Sequence, residues 1–286
     1  MNHHFAPSLR ISPVIITLAP VDYAQLELFP PADVLARDIC DSHLNGASVV
    51  HFHVTDAGGR ATSDTTFFDG VVERVRETSD IVIQGSSGGV GLPWDVRTAA
   101  MAAHDLEMAS LNMGSCNLFG RAYINTPDDI AALAVKMAVV HVVPDMCFFE
   151  PGFFTALKGL DQNGGGGGRP ICSICLGFPG TLPATLENLV FMISKLPANA
   201  EWTLVHHGSH DFALLAAAIA AGGNVRVGFE DSRELGGGLR AERNAELVAK
   251  VRSLVEQLGR RVATPTEVRS RYGIPARNTT AVEMIN

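Results

Sequence analysis

No apolar stretch in the 286-residue sequence reaches membrane-spanning length without a Gly, Pro or charged residue breaking it, which argues against a transmembrane helix. A leader is not expected either. The opening Met1-Asn2-His3-His4 is too short and too polar to be a targeting segment. The five cysteines, Cys40, Cys116, Cys147, Cys172 and Cys175, are odd in number and scattered, so they are expected as reduced thiols in a cytoplasmic protein rather than as a disulfide framework. Cys172 and Cys175 have CxxC spacing, yet Ile171-Cys172-Ser173-Ile174-Cys175-Leu176 has the composition of a buried strand, not of a redox turn that opens a helix. Positive charge is scarce: 22 Lys and Arg stand against 30 Asp and Glu, a net charge of −8, and no basic stripe gathers anywhere. Nucleic-acid binding therefore lacks its electrostatic footprint, and an anionic substrate must be caught by local groups.

What is present is material for a core. Hydrophobic residues make up 47% of the chain and charged ones 18%, which excludes disorder, and the length suits a single α/β barrel domain spanning residues 1–286. Short apolar, β-branched runs alternate with longer stretches of helical period, the pattern of βα units around a parallel sheet. The runs are Val14 to Leu18, Ser48 to His53, Ile81 to Gln84, Met108 to Asn112, Val139 to Val143, Pro170 to Leu176, Trp202 to Val205 and Asn224 to Gly228. Helices are expected over Ala32 to Leu44, Thr65 to Glu77, Trp94 to Ala103, Asp128 to Val135, Pro183 to Leu196, Phe212 to Ala221 and Arg243 to Leu258. Pro31, Thr126-Pro127-Asp128-Asp129 and Gly259 supply start and stop signals that agree with these periods. The fifth connection has no clear helix and carries Asn163 followed by Gly164 to Gly168, which reads as a surface loop. Residues 261–286 form a C-terminal extension of the same domain, opening with a short helix expected to pack across the barrel or onto a neighbouring subunit. With no GxGxxG after the first run and no division into two halves, the expected fold is a closed (β/α)8 TIM barrel with its active site where the strands end.

Polar residues just past each apolar run are therefore the candidates. His51 and His53 are two apart on a strand and project from the same face. Paired imidazoles suit Zn, Fe, Ni or Cu better than Mg, and a carboxylate from another strand completes a three-ligand site with a position left for substrate. Glu230, just past the eighth run, can reach such a site as that carboxylate, though an ordinary salt-bridged strand end reads the same way. Its neighbour Asp231 can serve as a base, and Arg226 can pair with Asp231 or with a substrate carboxylate. After the third run, Ser86, Ser87 and Gly88 offer hydroxyls and backbone N–H groups to a carboxylate or oxyanion. Ser110 and Asn112 add small polar groups at the end of the fourth. One of His206 and His207 is expected to face the mouth.

Taken together, Pro13-Val14-Ile15-Ile16-Thr17, His51-Phe52-His53 with Asp56 and Gly59, Ser86-Ser87-Gly88-Gly89 and Leu111-Asn112-Met113-Gly114-Ser115 carry a family resemblance. Gly222-Gly223-Asn224-Val225-Arg226-Val227-Gly228-Phe229-Glu230-Asp231 and Gly259-Arg260-Arg261-Val262-Ala263-Thr264-Pro265 extend it nearly end to end. The chain is similar to the β-keto acid cleavage enzymes, the family that includes 3-keto-5-aminohexanoate cleavage enzyme. The resemblance implies a zinc-dependent (β/α)8 barrel that exchanges a β-keto acid and acetyl-CoA for acetoacetate and a new acyl-CoA. It implies Zn2+ on His51, His53 and Glu230, Asp231 as a base polarised by Arg226, Ser86 on the substrate carboxylate, and assembly as a homotetramer or homodimer. Two segments depart from the family pattern. Pro144-Asp145-Met146-Cys147 stands where Pro-Glu-Leu-Glu is usual, and Ala19-Pro20-Val21-Asp22 replaces a small, Gly-containing stretch, with Asp22 standing in for a polar substrate contact. Both bear on substrate choice. Another metal-dependent aldolase or hydrolase would differ in having no need of CoA, and a non-catalytic metal-containing binding protein is opposed by the intact Arg226, Glu230 and Asp231.

Overall fold

Eight parallel strands close a barrel in sequence order in the computed structural model, which describes residues 12–157 and 169–275. The strands are β1 (Ile16–Leu18), β2 (Val49–Phe52), β3 (Val82–Gly85), β4 (Met108–Asn112), β5 (Val143–Phe148), β6 (Ile171–Leu176), β7 (Glu201–His206) and β8 (Asn224–Val227). Closure is made by β1 pairing with β8 through Ile16 to Val225, Thr17 to Arg226 and Leu18 to Val227. The strands alternate with α1 (Ala32–Leu44), α2 (Thr66–Arg76), α3 (Trp94–Arg97), α4 (Pro127–Val139), α5 (Leu186–Ile193), α6 (Ala213–Ala220), α7 (Asn244–Gln257) and α8 (Pro265–Tyr272). The expected architecture is the observed one.

Three local departures have physical causes. The fifth strand lies at Val143–Phe148, not at Val139 to Val143, because α4 runs on through Val139 and the chain then turns at His141, which adopts φ 57°. The apolar run straddled a helix end and a strand start, which periodicity alone cannot separate. The third helix is shorter than expected and is followed by a 3-10 turn over Ala99–Ala102. After β4 comes a hairpin, Cys116–Leu118 with Arg121–Tyr123, that the sequence did not announce. Its two-residue turn is Phe119-Gly120, both at positive φ, as a type I′ turn requires. Arg97 of α3 pins the hairpin from below, donating to the Tyr123 hydroxyl at 2.8 Å and to Asn125 Oδ1 at 2.6 Å. Asn163 and the glycine run after it lie outside the described residues.

The bottom of the barrel is plugged by the C-terminal extension. Helix α8 starts in a reciprocal Thr264/Glu267 capping box, and Ala263, Val268 and Ile274 pack onto Ile15, Val49, Val82, Met108 and Ile171, at or beside the N-terminal ends of the strands. The described part of the extension, up to residue 275, therefore packs across the barrel, on the face opposite the expected active site. Arg269 locks it there, donating through Nε to Glu107 Oε1 at 2.6 Å, while Glu107 Oε2 accepts from Arg76 at 2.8 Å and from the Ile83 backbone at 3.0 Å. Glu107→Ala leaves buried Arg269 with only its longer pair to Asp80 at 3.6 Å and is expected to cost about 3–5 kcal/mol of stability in a urea melt.

Candidate active site

A cavity of about 270 Å³ opens at the C-terminal end of the strands. Alternate residues of each strand face into it, as strand pleating dictates. On β2 to β4 the inward residues are polar: His51 and His53, Gln84 and Ser86, Ser110 and Asn112. Across the barrel the wall turns apolar, with Cys147 and Phe149 following Asp145, Cys175 following Ser173, and Val205 following Thr203. The cavity thus has a hydrogen-bonding side and a greasy side.

His51, His53 and Glu230 each offer a ligand atom within 4.8 Å of the others. Among the described residues this is the group whose donors converge in that way. His51 Nδ1 lies 2.9 Å from Gln84 Oε1, and Gln84 Nε2 donates to Asp145 Oδ2 at 2.9 Å. The amide is therefore oriented with its oxygen toward the imidazole. Nδ1 carries the proton, and Nε2 is left with a lone pair for a cation, the arrangement that outer hydrogen bonds impose on metal-binding histidines. Burial, reinforced by Arg226 and by His53, holds His51 well below the usual histidine pKa; burial also lowers His53, partly offset by Glu230. Both rings are neutral, as ligation needs. Glu230 accepts from Arg226 Nη2 through Oε1 at 3.1 Å, whereas its Oε2 is buried without any hydrogen-bond partner. A buried carboxylate oxygen without a donor is costly, and two neutral imidazoles beside it form a donor set that fits a divalent cation.

Glu230 reaches this position because of Gly228. The glycine follows β8 at φ +148°, and a Cβ there would meet the Ala19 carbonyl oxygen at 2.1 Å. Only glycine lets the chain fold over β1 so that the Glu230 N–H donates to Ala19 O at 3.2 Å. Gly228→Ala is expected to destabilise the protein by on the order of 3 kcal/mol and to weaken metal binding, both measurable by calorimetry. Two residues before this turn, Arg226 grips Asp231 with a fork, Nε to Oδ2 at 2.8 Å and Nη2 to Oδ1 at 2.5 Å. Burial opposes charge on Arg226, but the Asp231 and Glu230 carboxylates outweigh it and raise its pKa further.

Other sequence-derived candidates divide by direction. Ser86, Gly88, Ser110 and Asn112 line the cavity. Ser87 does not: it is fully buried, taking Ser110 Oγ through its N–H and donating its hydroxyl to the Ser110 carbonyl. Asp22 lies in a neighbouring groove, 3.9 Å from Arg233 and bonded to Ala24 N–H and the Gln25 amide, because the loop after β1 turns it outward. Tyr23 takes the place near the histidines instead, its hydroxyl accepting the His53 N–H at 2.8 Å and its ring 4.5 Å from the imidazole. Asp231 lies behind Arg226 and contacts a small gap shared with His206 rather than the main cavity. Of the late histidines, His207 stacks on Phe178, a cavity residue, at 4.7 Å. Residues that sequence reasoning missed are Tyr23, Gln84 and Ser173. Gln84 alone left a signal, since it stands two before Ser86 on the same strand face.

A parallel (β/α)8 barrel with a two-histidine, one-carboxylate cluster at its mouth defines a class of enzyme that works on small molecules at the strand ends. The chain belongs to the beta-keto acid cleavage enzyme family, which it matches over residues 13–274. It is 34% identical over 238 residues to 3-keto-5-aminohexanoate cleavage enzyme of Fusobacterium nucleatum, covering 82% of this chain and 86% of that one. Identity is 30% over 267 residues to 3-dehydrocarnitine:acetyl-CoA trimethylamine transferase of Rhizobium meliloti, covering 85% and 89%. Among solved structures, the apo form of ObcA superposes with a TM-score of 0.72 at 17% identity, over 87% of this chain and 66% of ObcA, a likeness of fold. All five cysteines are free, and Cys172 and Cys175 sit inside β6 as expected of a strand. Among the described residues no helix is long and apolar enough to cross a membrane.

Proposed function

We propose that this enzyme is a zinc-dependent acyl exchanger in which R–CO–CH2–COO⁻ and acetyl-CoA become acetoacetate and R–CO–CoA. The convergence of His51, His53 and the donor-free Oε2 of Glu230 beside a polar wall carries the reading. Zn2+ held by these three side chains would polarise the keto oxygen and acidify the carbon next to it. Ser86, whose Oγ accepts the Gly88 N–H at 3.2 Å, stands on the polar wall with its hydroxyl proton available to a carboxylate. Asn112 and Ser110 orient the same end of the substrate. Asp231 is the base that takes the proton from the carbon between the keto and carboxylate groups, and Arg226 holds its carboxylate in place. Because Arg226 stands between Asp231 and the cavity, this role requires the fork to part when substrate arrives. The apolar wall excludes water and protects the thioester from hydrolysis. A homodimer or homotetramer in the cytoplasm is the expected setting, and the assembly is checked by sedimentation.

Dependence on CoA separates this reading from a metal-dependent aldolase or hydrolase on the same barrel. Zinc-loaded enzyme should consume a β-keto acid only when acetyl-CoA is present. Equal consumption without it would sink the proposal. Asp231→Asn is expected to lower kcat by at least about 100-fold; unchanged turnover would move the base elsewhere.

A further inference from the structure

Within that reading, on which this inference rests, we propose that the substrates are β-keto acids whose chain beyond the keto group is uncharged and apolar, received by the cavity wall of Cys147, Phe149, Phe178 and Phe119. The cavity is divided. Its polar side, from β2 to β4, suits the keto acid head, which the metal cluster and Ser86 would hold. The tail must point the other way, toward Phe149 at the end of β5, Phe178 beyond β6, and Phe119 at the tip of the hairpin. Phe178 ties these together, 5.2 Å from Phe149, 6.2 Å from Phe119 and stacked on His207. Leu118 and Val205 extend the same surface.

A charged tail would find no partner there. The one Lys or Arg side chain among the described residues lining the cavity is Arg226, and it is held by its pair with Glu230 at the head end of the cavity. An anionic tail therefore meets no free cation. The carboxylates lining the cavity are Glu230, in the metal cluster, and Asp145. Both oxygens of Asp145 are taken by the Ser173 hydroxyl at 2.8 and 2.9 Å, and Oδ2 also by Gln84 at 2.9 Å. Asp145 also lies two residues before Cys147 along β5, so it is set deeper than the aromatic wall. A cationic tail would have to dismantle the hydrogen bonds that orient His51. At Cys147 itself the inward group is a thiol lying against that of Cys175, with its pKa driven well up by that contact and by burial. The Cys147 sulfur bears no charge to offer.

The test is a substrate panel sharing one head and differing in the tail: 3-oxohexanoate and 3-oxooctanoate, 3-oxoadipate, 5-amino-3-oxohexanoate and 3-dehydrocarnitine, each with acetyl-CoA and the zinc-loaded enzyme. kcat/KM for the two neutral acids is expected to exceed that for every charged one by at least about 100-fold, the consequence of burying a charge without a partner. A charged acid turned over as well as or better than the neutral ones overturns the proposal, and preference for 3-dehydrocarnitine in particular would recast the aromatic wall as a cage for a quaternary ammonium. If no acid yields acetoacetate, it is the acyl-exchange reading that fails. Calorimetric titration of the same acids then decides the tail question alone, tighter binding of neutral acids by at least about 10-fold supporting it and equal or tighter binding of charged ones refuting it. Phe178→Ala is expected to raise KM for 3-oxooctanoate by about 10-fold, more than for any charged acid. An equal loss on every acid overturns the assignment of this surface.

Discussion

His51→Ala, His53→Ala and Glu230→Gln should each abolish stoichiometric metal binding and lower turnover by on the order of 10³-fold or more, the several kcal/mol that a cation contributes to a developing oxyanion. The three variants are expected to remain folded. Oε2 of Glu230 has no hydrogen-bond partner, and His51→Ala gives up a single bond to Gln84, so limited internal bonding is lost. Metal analysis of purified protein, with activity measured before and after chelation and zinc return, checks this. A graded effect should appear one layer out. Gln84→Leu removes the acceptor that holds the His51 Nδ1 proton and is expected to weaken metal affinity by about 10- to 100-fold without abolishing it. If Glu230→Gln bound zinc normally and turned over at the native rate, the cluster would not be the metal site.

The second large effect is predicted at Arg226, where stability and activity fall together. Arg226→Met leaves the Asp231 side chain, only 3% exposed, with its charge uncompensated. Removing one partner of such a pair costs about 3–5 kcal/mol, and Glu230 Oε1 loses the Arg226 donor in addition. The loss in kcat should be on the order of 10²- to 10³-fold. Arg226→Lys restores the charge but not the fork, since an ammonium cannot make two parallel bonds to a carboxylate. It should recover much of the stability and little of the activity. Urea denaturation and steady-state kinetics on the two variants distinguish this from a purely structural role, in which the lysine would rescue both.

These side chains differ in how far the sequence alone revealed them. His51 and His53 were legible because a strand's period of two sets where alternate residues face, whatever the rest of the fold does. The same rule explains Ser87. With Ser86 facing inward its neighbour must face outward, and the structure buries it against Ser110. Glu230 was legible as a residue at a strand end, but the turn at Gly228 that brings it over β1 depends on a close approach to Ala19 that no local pattern encodes. Asp22 and Tyr23 mark the limit. They lie in a loop, where no period governs direction, and the hydroxyl that meets His53 belongs to the residue after the expected one. The barrel itself was readable from the alternation of apolar runs and amphipathic stretches. The shifted fifth strand and the Phe119-Gly120 hairpin were not, one because helix and strand merge in a single apolar run, the other because phenylalanine is an unusual occupant of a positive-φ turn position.

The origin of the carbons in the product tests acyl exchange most directly. Zinc-loaded enzyme is incubated with an unlabelled neutral β-keto acid and acetyl-CoA carrying 13C at both acetyl carbons, and the products are read by NMR and mass spectrometry. The account predicts that label appears at the methyl and keto carbons of acetoacetate, that the carboxylate end is unlabelled, and that the new acyl-CoA carries no label. Unlabelled acetoacetate, label in the new acyl-CoA, or cleavage of the keto acid with acetyl-CoA left intact would contradict it.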